Sequence, residues 1–370
     1  MQSEPRAWLE LDPAALTHNL QTVSKMAPDA SIMAVIKANG YGHGLELAAH
    51  ALRDAQEFAT TDFREAKELR LIDAEIPITP LSGDFQIEDL VSIDGHNIRP
   101  VVFNRAHVDA LKDVQLNTPL DVWLKVDTGM GRLGFASLDI ASIVQQLDGF
   151  SSVASVSLMT HMANADDANN PSSTDQLKRL LALQDAYAWR DVSIFNSGAL
   201  CLNNDGSSLD AVKQLPKQMV RPGLMLYGLS PMLIGSSVGN DLGLRAAMTF
   251  KARVISVNRV SAGTTIGYGS TYTTDSDTNI ATIACGYADG YPRHLPSGTP
   301  VLINDHKVPL VGRVSMDLIT VDVKDLPIAR GDIAVLWGPQ NPVEVIAQMS
   351  QTIAYDLLVG VMPRVKRKTI

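Results

Sequence analysis

The sequence contains little of what would place it in several large classes of protein. Of its 370 residues two are cysteines, Cys201 and Cys285, and neither belongs to a Cys-x-x-Cys pair. Two cysteines cannot form a disulfide framework, so a reducing compartment is the simpler interpretation. Lysine and arginine total 31 against 40 acidic residues, a net charge of -9. This balance disfavours nucleic acid and anionic membranes as partners, and the one basic cluster, Arg364 to Lys368, is interpreted as a solvated chain end.

Long apolar segments are missing as well. No run approaches the roughly 20 apolar residues that a membrane span needs, and the N-terminus has neither the basic nor the apolar region of a signal peptide. The sequence therefore predicts a soluble cytoplasmic protein, with 45% hydrophobic residues to form a core. No metal site is expected, because the following histidines lack metal-ligand spacing and are interpreted as surface or incidental residues: His18, His50, His96, His107, His294 and His306.

The first two thirds of the chain contain a series of apolar runs separated by segments of helix length. A helix is predicted from Pro13 to Met26, with Asp12 as its cap. Eight runs that are apolar on both faces predict a TIM (β/α)8 barrel, although their periodicity leaves an open α/β sheet as an alternative. The runs are Ser31–Ala38, Phe58–Asp62, Pro77–Ser82, Ile98–Asn104, Leu120–Asp127, Val153–His161, Val192–Ser197 and Val220–Tyr227.

The remaining residues have a different character. Between turns rich in glycine, proline and aspartate they form short β-like segments, and only Val343–Gln351 has a helical pattern. We therefore predict two domains, a cofactor-binding barrel over residues 1–235 and a mainly β domain over residues 236–370. Ile234–Gly243 is predicted to link them.

Unusual polar residues follow the predicted barrel strands, where the active site of a TIM barrel lies. Lys37 ends an apolar strand, which predicts an amine with a lowered pKa in a desolvated site, suited to Schiff-base chemistry. A lysine that extends to solvent at the rim is the alternative. Lys125 ends another strand, and the glycine-rich loop after it carries Arg132. This arginine offers a planar fork to a carboxylate or phosphate, unless it only pairs with a surface acid.

Three further residues strengthen this pattern. Ser197 lies at a turn into a helix, a position suited to an anion, and Arg221 lies in an apolar run and must have a partner there. His161 ends the sixth strand. Taken together, these residues predict an anionic cofactor with an aldehyde. Pyridoxal 5'-phosphate (PLP) fits, with its aldehyde on Lys37, its phosphate near Ser197 and Gly223, and its ring nitrogen facing Arg221.

Sequence motifs along nearly the whole chain, from about Ala7 to Arg367, resemble those of the bacterial alanine racemases, which are PLP-dependent enzymes of fold type III. The motifs are AVIKANGYGHG, LKVDTGMGRLG, THMANAD, NSGA, VRPGLMLYGLSP, IGYGSTY, GYADGYPR, GRVSMD and AYDLL. The resemblance implies a racemase that interconverts L-alanine and D-alanine and supplies D-alanine for peptidoglycan. Lys37 would hold PLP and act as the base for D-alanine. Tyr268 would be the opposing base, supplied by the partner subunit of a head-to-tail homodimer.

The resemblance also implies roles for other residues. Arg132 and the backbone N–H of Met316 would hold the substrate carboxylate, and Lys125 matches a lysine that is often carbamylated. Arg221 would face the pyridine nitrogen and His161 would pack near the ring. The phosphate would be surrounded by Tyr41, Ser197, Gly223, Leu224 and Tyr355.

The sequence departs from the family pattern at three positions, and several alternatives stay open. Gly40 and Ser315 replace a common alanine and a frequent cysteine, and Ser193 stands where some members have a histidine that supports the pyridine-facing arginine. A serine-type or broad-specificity racemase is one alternative. The others are a PLP-dependent decarboxylase, which Arg221 argues against, and a non-catalytic PLP-binding protein, which would need neither Tyr268 nor a second domain.

Overall fold

The structure, a computed structural model, describes residues 5–73, 75–183, 187–203, 217–233 and 235–370. The chain begins with strand β1 (Ala7–Leu11) and helix α1 (Pro13–Met26), whose predicted bounds are confirmed. Asp12 caps the helix, because its side chain accepts hydrogen bonds from the backbone N–H groups of Ala14 and Ala15 at 2.9 and 3.1 Å.

In the part of the chain that the structure describes, eight short strands then form a parallel barrel. They pair in two runs of four strands each, and isolated parallel bridges (Ile78 to Ile98 and Val192 to Gln218) join the runs into a closed circle. Closure confirms the predicted TIM barrel and excludes the open sheet. The strands are β2 (Ser31–Val35), β3 (Glu57–Thr60), β4 (Ile78–Pro80), β5 (Val101–Val102), β6 (Leu120–Lys125), β7 (Val153–Met159), β8 (Val192–Ser193) and β9 (Met219–Val220).

Helices connect these strands and cover the barrel with their apolar faces. The last predicted run, Val220–Tyr227, is only partly a strand, because Arg221-Pro222-Gly223 ends it and a 3-10 turn follows over Leu224–Tyr227. The helices are α2 (Leu45–Ala51), α3 (Phe63–Arg70), α4 (Ile87–Ser92), α5 (Arg105–Asp113), α6 (Ile140–Asp148), α7 (Ser172–Leu181) and α8 (Ser197–Asn203).

The second domain is built around one long strand, β10 (Met248–Val260). This strand pairs antiparallel with β1, β13 and β17, so the mainly β character is confirmed. Besides the predicted helix, a second one (α10) lies in this domain. The remaining elements are β11 (Thr265–Ile266), β12 (Tyr272–Thr273), β13 (Thr278–Ile283), β14 (Pro300–Ile303), β15 (His306–Pro309), β16 (Ile319–Asp322), β17 (Ile333–Trp337), α9 (Val343–Met349), α10 (Ala354–Val359) and β18 (Lys366–Thr369).

Both ends of the chain lie in the sheet of the second domain. Strand β1 pairs antiparallel with β10 and parallel with β18, although it precedes the barrel in sequence. The basic C-terminal cluster is partly exposed, as expected of a solvated chain end, but it is also held in place by the second domain. Its first residue, Arg364, donates to Asp289 Oδ1 at 2.7 Å and to Asp317 Oδ1 at 2.6 Å, and most of the rest forms β18. These carboxylates are distant in sequence, so composition alone could not reveal the pairing.

His107 and the predicted linker differ in part from expectation. His107 is not a surface residue, because it is fully buried, stacks on Phe85 with ring centroids 3.8 Å apart and contacts Asp84 Oδ1 at 2.7 Å. The predicted linker begins at Ile234, which lies outside the described residues, and continues into a 3-10 turn over Gly239–Leu242. In the described part of the chain, no helix has the length and apolarity to cross a membrane, and no three His, Cys, Asp or Glu side chains form a group suited to a metal ion.

Candidate active site

Lys37 lies at the carboxyl end of the first barrel strand, where the backbone takes an unusual course. Strand β2 ends at Val35, two residues before Lys37, and a left-handed turn follows, with φ of 53°, 55°, 58° and 50° at residues 38–41. The left-handed conformation costs each non-glycine residue roughly 1–2 kcal/mol. The predicted strand to Ala38 is therefore too long. Gly40 fits the turn because a Cβ there would lie 2.9 Å from the Ala48 Cβ.

A cluster of cations surrounds this lysine. Burial and the nearby Arg132 lower the pKa of Lys37, and Glu65 opposes the shift. Lys125 is the last residue of β6, which ends two residues before the predicted run does, and it is 7% exposed. Burial, then the charges of Arg221, Arg132 and Lys37, lower the pKa of Lys125 to about 8. The structure thus brings together the four cations that the sequence predicted separately as site residues: Lys37, Lys125, Arg132 and Arg221.

His161, two residues beyond the end of β7, faces the same cations. Burial, followed by the charges of Arg221 and Lys125, lowers the pKa of His161 to about 3. The imidazole is therefore neutral at physiological pH. A neutral ring can pack on an aromatic ligand without adding to the positive charge of the site.

Arg221 is buried among neutral hydrogen-bond acceptors. It is 4% exposed, and its guanidinium donates to the Ser193 hydroxyl and, at 2.5 Å, to the Thr160 carbonyl. Burial lowers the pKa of Arg221 to about 10, while the charge of Glu57 opposes this shift. Ser193, which departs from the family pattern, contacts the arginine directly.

Beside Arg221 the structure forms a small cradle of hydroxyl and backbone N–H groups. Ser197 begins helix α8, and its Oγ accepts a hydrogen bond of 2.9 Å from the N–H of Gly223. A Cβ on Gly223 would lie 2.5 Å from the Tyr41 hydroxyl oxygen, so glycine is required here. The rings of Tyr41 and Tyr355 have centroids 5.9 Å apart. Leu224, Tyr355 and His161 also line a cavity of about 530 Å³ at this end of the barrel.

Arg132 lies at the exposed mouth of the site, in the loop after β6. Asp127 shapes this loop, because its carboxylate accepts hydrogen bonds from the N–H groups of Gly129, Met130 and Gly131 at 2.8–2.9 Å. Among the described residues Arg132 forms no ion pair with a carboxylate, which leaves its planar fork available to a ligand.

Tyr268 and Met316 belong to the second domain and do not line the cavity. Tyr268 is 71% exposed and Met316 is 53% exposed. The loop of Met316 is nevertheless well anchored, because Met316 O accepts a hydrogen bond of 2.9 Å from Ala288 N–H and Ser315 O accepts one of 3.1 Å from Tyr287 N–H. Within one chain, therefore, the two residues are presented on the surface and the cation cluster is formed without them.

The residues present fit PLP. Four cations and a neutral imidazole leave an excess of positive charge in a largely desolvated site, which a phosphate and a substrate carboxylate would balance. The hydroxyl groups of the cradle supply uncharged donors beside it, and Gly223 leaves room against Tyr41. Burial raises the pKa of Tyr355 to about 12, so its phenol stays protonated and can donate.

Sequence reasoning missed one residue of this site. Glu65, 7% exposed, accepts hydrogen bonds from Asn39 N–H at 3.1 Å and from Thr61 N–H at 2.8 Å. The only signal in the sequence is the spacing Asp62-x-x-Glu65, which is typical of a helix-capping box. That pattern predicts a bond back to the N–H of Asp62, and it does not indicate a link to the turn after Lys37.

A closed barrel with a desolvated lysine and an anion cradle at the carboxyl ends of its strands defines an enzyme of the kind that binds a phosphorylated aldehyde cofactor. Comparison with known proteins gives the particular family. Residues 11–231 match the family described as alanine racemase, N-terminal domain, and residues 247–369 match its C-terminal domain. The chain therefore belongs to the alanine racemase family and is an isomerase, as the motifs indicated.

Individual relatives agree over the full length. The chain is 40% identical to the alanine racemase of Shewanella piezotolerans over 99% of both chains, and 42% identical to that of Nitrosococcus oceani over 96% of this chain and 97% of the relative. The solved biosynthetic alanine racemase of Pseudomonas aeruginosa matches with a TM-score of 0.92 at 36% identity, over 99% of both chains. Another solved structure, the alanine racemase of Bartonella henselae with covalently bound pyridoxal phosphate, matches with a TM-score of 0.85 at 28% identity, over 99% of this chain and 100% of that chain.

Proposed function

We propose that this protein interconverts L-alanine and D-alanine with PLP as its cofactor, and that Lys37 and Tyr268 act as acid and base on opposite faces of the substrate Cα. The observation that carries the proposal is the convergence of a desolvated lysine, a cradle of hydroxyl groups and an arginine without a carboxylate partner among the described residues, at one end of the barrel of an alanine racemase family member. We further propose a cytoplasmic role in supplying D-alanine for peptidoglycan.

Lys37 is suited to proton transfer. Its pKa is lowered by burial and by Arg132, so the neutral amine that can accept a proton is more abundant near pH 7 than for an exposed lysine. Racemisation needs a second group on the opposite face, and Tyr268 is the proposed one. Two fixed groups on opposite faces allow the proton to leave one side and return on the other without turning the substrate.

Residues at the carboxyl end of the barrel would hold PLP. Tyr41, Ser197, Gly223, Leu224 and Tyr355 would surround its phosphate, His161 would pack against its ring, and Arg221 would face the ring nitrogen. When bound, PLP supplies an electron-withdrawing ring that makes the Cα proton of an amino acid more acidic.

An arginine beside the ring nitrogen would affect which of the reactions of PLP is favoured. Arg221 keeps its own proton and therefore disfavours a proton on the nitrogen, which weakens the electron sink. A weaker sink favours rapid return of the proton over transamination and disfavours decarboxylation. Replacing Arg221 with glutamate should raise the release of pyruvate from alanine, measured with lactate dehydrogenase, and no rise would count against this role.

The substrate carboxylate would be held by Arg132 and by the backbone N–H of Met316. We propose that Met316 and Tyr268 reach the cation cluster of a second copy in a head-to-tail homodimer. Their exposure supports this proposal. Other large apolar side chains of the second domain are exposed with them, as expected of a surface that a partner covers: Leu318, Ile353, Val359 and Met362.

Mixing two inactive variants tests the shared site. If Tyr268 acts across the interface, subunits with Lys37→Ala and subunits with Tyr268→Phe form mixed dimers in which one site is intact. Random exchange in an equal mixture should then restore about a quarter of the wild-type racemase activity. No recovery, despite mixed dimers seen by native mass spectrometry, would contradict a shared site.

Substrate breadth is the second question. A pocket wall discriminates one methylene or hydroxyl by only about 1–3 kcal/mol, so a serine-type or broad racemase differs little from an alanine racemase. Racemisation of a panel of L-amino acids, followed by chiral chromatography with and without added PLP, decides between them. The overall similarity to alanine racemases supports alanine, and a faster rate with serine would overturn that choice.

A further inference from the structure

The left-handed turn after Lys37 needs support from outside itself. Ala38, Asn39 and Tyr41 carry side chains that disfavour positive φ, so the turn would relax if neighbouring groups did not hold it. Two such groups lie within the loop: Asn39 Oδ1 accepts a hydrogen bond of 2.9 Å from Leu45 N–H, and His43 Nδ1 lies 3.1 Å from the Gly40 carbonyl. The third is Glu65, which comes from another element.

Glu65 connects the turn to the neighbouring strand. Its carboxylate is buried at the start of helix α3, which Asp62 caps by accepting the Glu65 N–H at 2.9 Å. One carboxylate oxygen accepts the Asn39 N–H and the other accepts the Thr61 N–H, which follows β3. The carboxyl ends of two adjacent barrel strands are thus joined through one side chain.

We propose that Glu65 is a positioning residue for Lys37: its hydrogen bond to the N–H of Asn39 holds the left-handed turn in place and keeps a negative charge beside the chain two residues from the lysine. The inference deepens the proposed function and rests on the role given there to Lys37. Glu65 would touch neither substrate nor cofactor in this role.

Charge considerations support the second half of the proposal. Two neighbouring charges shift the pKa of Lys37 in opposite directions, because Arg132 lowers it and Glu65 raises it. Lys37 in turn faces Lys125 and His161, whose pKa values it lowers. In a cluster of this kind a single carboxylate keeps the amine from losing its proton too readily.

The test measures Lys37 itself rather than turnover. Full-length protein, freed of cofactor with hydroxylamine, is labelled with acetic anhydride over a range of pH, and modification of Lys37 is followed by peptide mass spectrometry with the exposed Lys67 as internal reference. In Glu65→Gln we expect the labelling midpoint of Lys37 to fall by about half a pH unit or more, which is about a threefold rise in neutral amine below the midpoint. Hydrogen exchange of the peptide over residues 37–44 should become about tenfold faster.

Two further variants separate charge from geometry. Asn39→Ala removes the bond to Leu45 but keeps the Glu65 charge, so exchange should quicken while the labelling midpoint stays at its wild-type value. Glu68→Gln changes an exposed carboxylate of the same helix, which pairs with Arg64, and should alter neither measurement. An unchanged midpoint and unchanged exchange in Glu65→Gln would overturn the proposal. A midpoint that moves equally in Asn39→Ala would assign the shift to the turn alone and overturn the charge role.

Failure of the proposed function would give a different result. If Lys37→Ala kept its racemase activity, Lys37 would not be the acid–base group, yet the labelling experiment would still report whether Glu65 controls its amine. If Lys37→Ala were inactive and the Glu65 variants matched wild type, only the positioning role would fall.

Discussion

The two parts of the candidate site differ sharply in how the chain holds them. At the barrel end, Lys125, Ser197 and Arg221 are 7%, 4% and 4% exposed, and hydrogen bonds or charges from several strands fix their surroundings. In the second domain, Tyr268 and Met316 are 71% and 53% exposed. A buried cluster can be pre-organised by one chain, whereas exposed groups acquire a defined environment only when another surface covers them. The barrel half is therefore held in place within a single chain, whereas the roles proposed for Tyr268 and Met316 require a second copy to cover them.

Replacing the barrel lysine should give the largest effect. Lys37→Ala removes both the amine that would hold PLP and one acid–base group, so we expect racemase activity to fall about a thousandfold or more. The matched control is Lys67→Ala, which changes an exposed lysine and should keep wild-type activity. An active Lys37→Ala variant would show that the buried cluster is not the centre of the reaction.

Removing one hydroxyl from the exposed half should have the next largest effect. Tyr268→Phe should lower activity about a hundredfold to ten-thousandfold while leaving the melting temperature unchanged, because the side chain packs little within its own chain. Tyr272→Phe is the control, since it removes a hydroxyl whose contact to Asp322 of β16 is long, at 3.5 Å, and it should cost little activity. Equal losses in both variants would contradict a special role for Tyr268.

Lys125 should become an anion by reaction with carbon dioxide. A pKa of about 8, below that of an ordinary lysine, leaves about a tenth of the amine neutral at pH 7, and that form attacks carbon dioxide to give a carbamate and a proton. Four neighbouring cations would then become three cations and one anion. We expect a carbamate signal by 13C NMR after addition of labelled bicarbonate, and a several-fold loss of activity when carbon dioxide is removed. A bare ammonium with activity insensitive to carbon dioxide would reject the modification.

The smallest effect is expected for Arg364, which anchors the loop of Met316 within the second domain. Arg364→Gln weakens the contacts to Asp289 and Asp317 beside Met316, so the KM for alanine should rise about threefold with little change in kcat. Arg259→Gln, which loses an exposed pair with Asp325 far from this loop, is the control and should not change KM. A fall in kcat without a change in KM would place the effect elsewhere.

Local patterns predicted elements whose determinants lie within a few residues. The Asp12-Pro13 signal gave the correct start of α1, and the helix predicted to begin at Val343 begins there as α9. Apolar patterning did not predict the end of β2, because the residue types after Val35 do not indicate that the backbone enters a left-handed turn. It also failed to separate β9 from the 3-10 turn at Leu224–Tyr227, since both are apolar and buried.

The sequence by itself determined the barrel periodicity, the second domain's β character and the cations Lys37, Lys125, Arg132 and Arg221, because spacing and residue chemistry are written along the chain. Only the tertiary structure decided that β1 completes the distant sheet, that Ser193 contacts Arg221 and that Glu65 contacts the turn after Lys37. Each of these contacts joins residues that are far apart in sequence, and a sequence pattern does not contain the spatial distance between them.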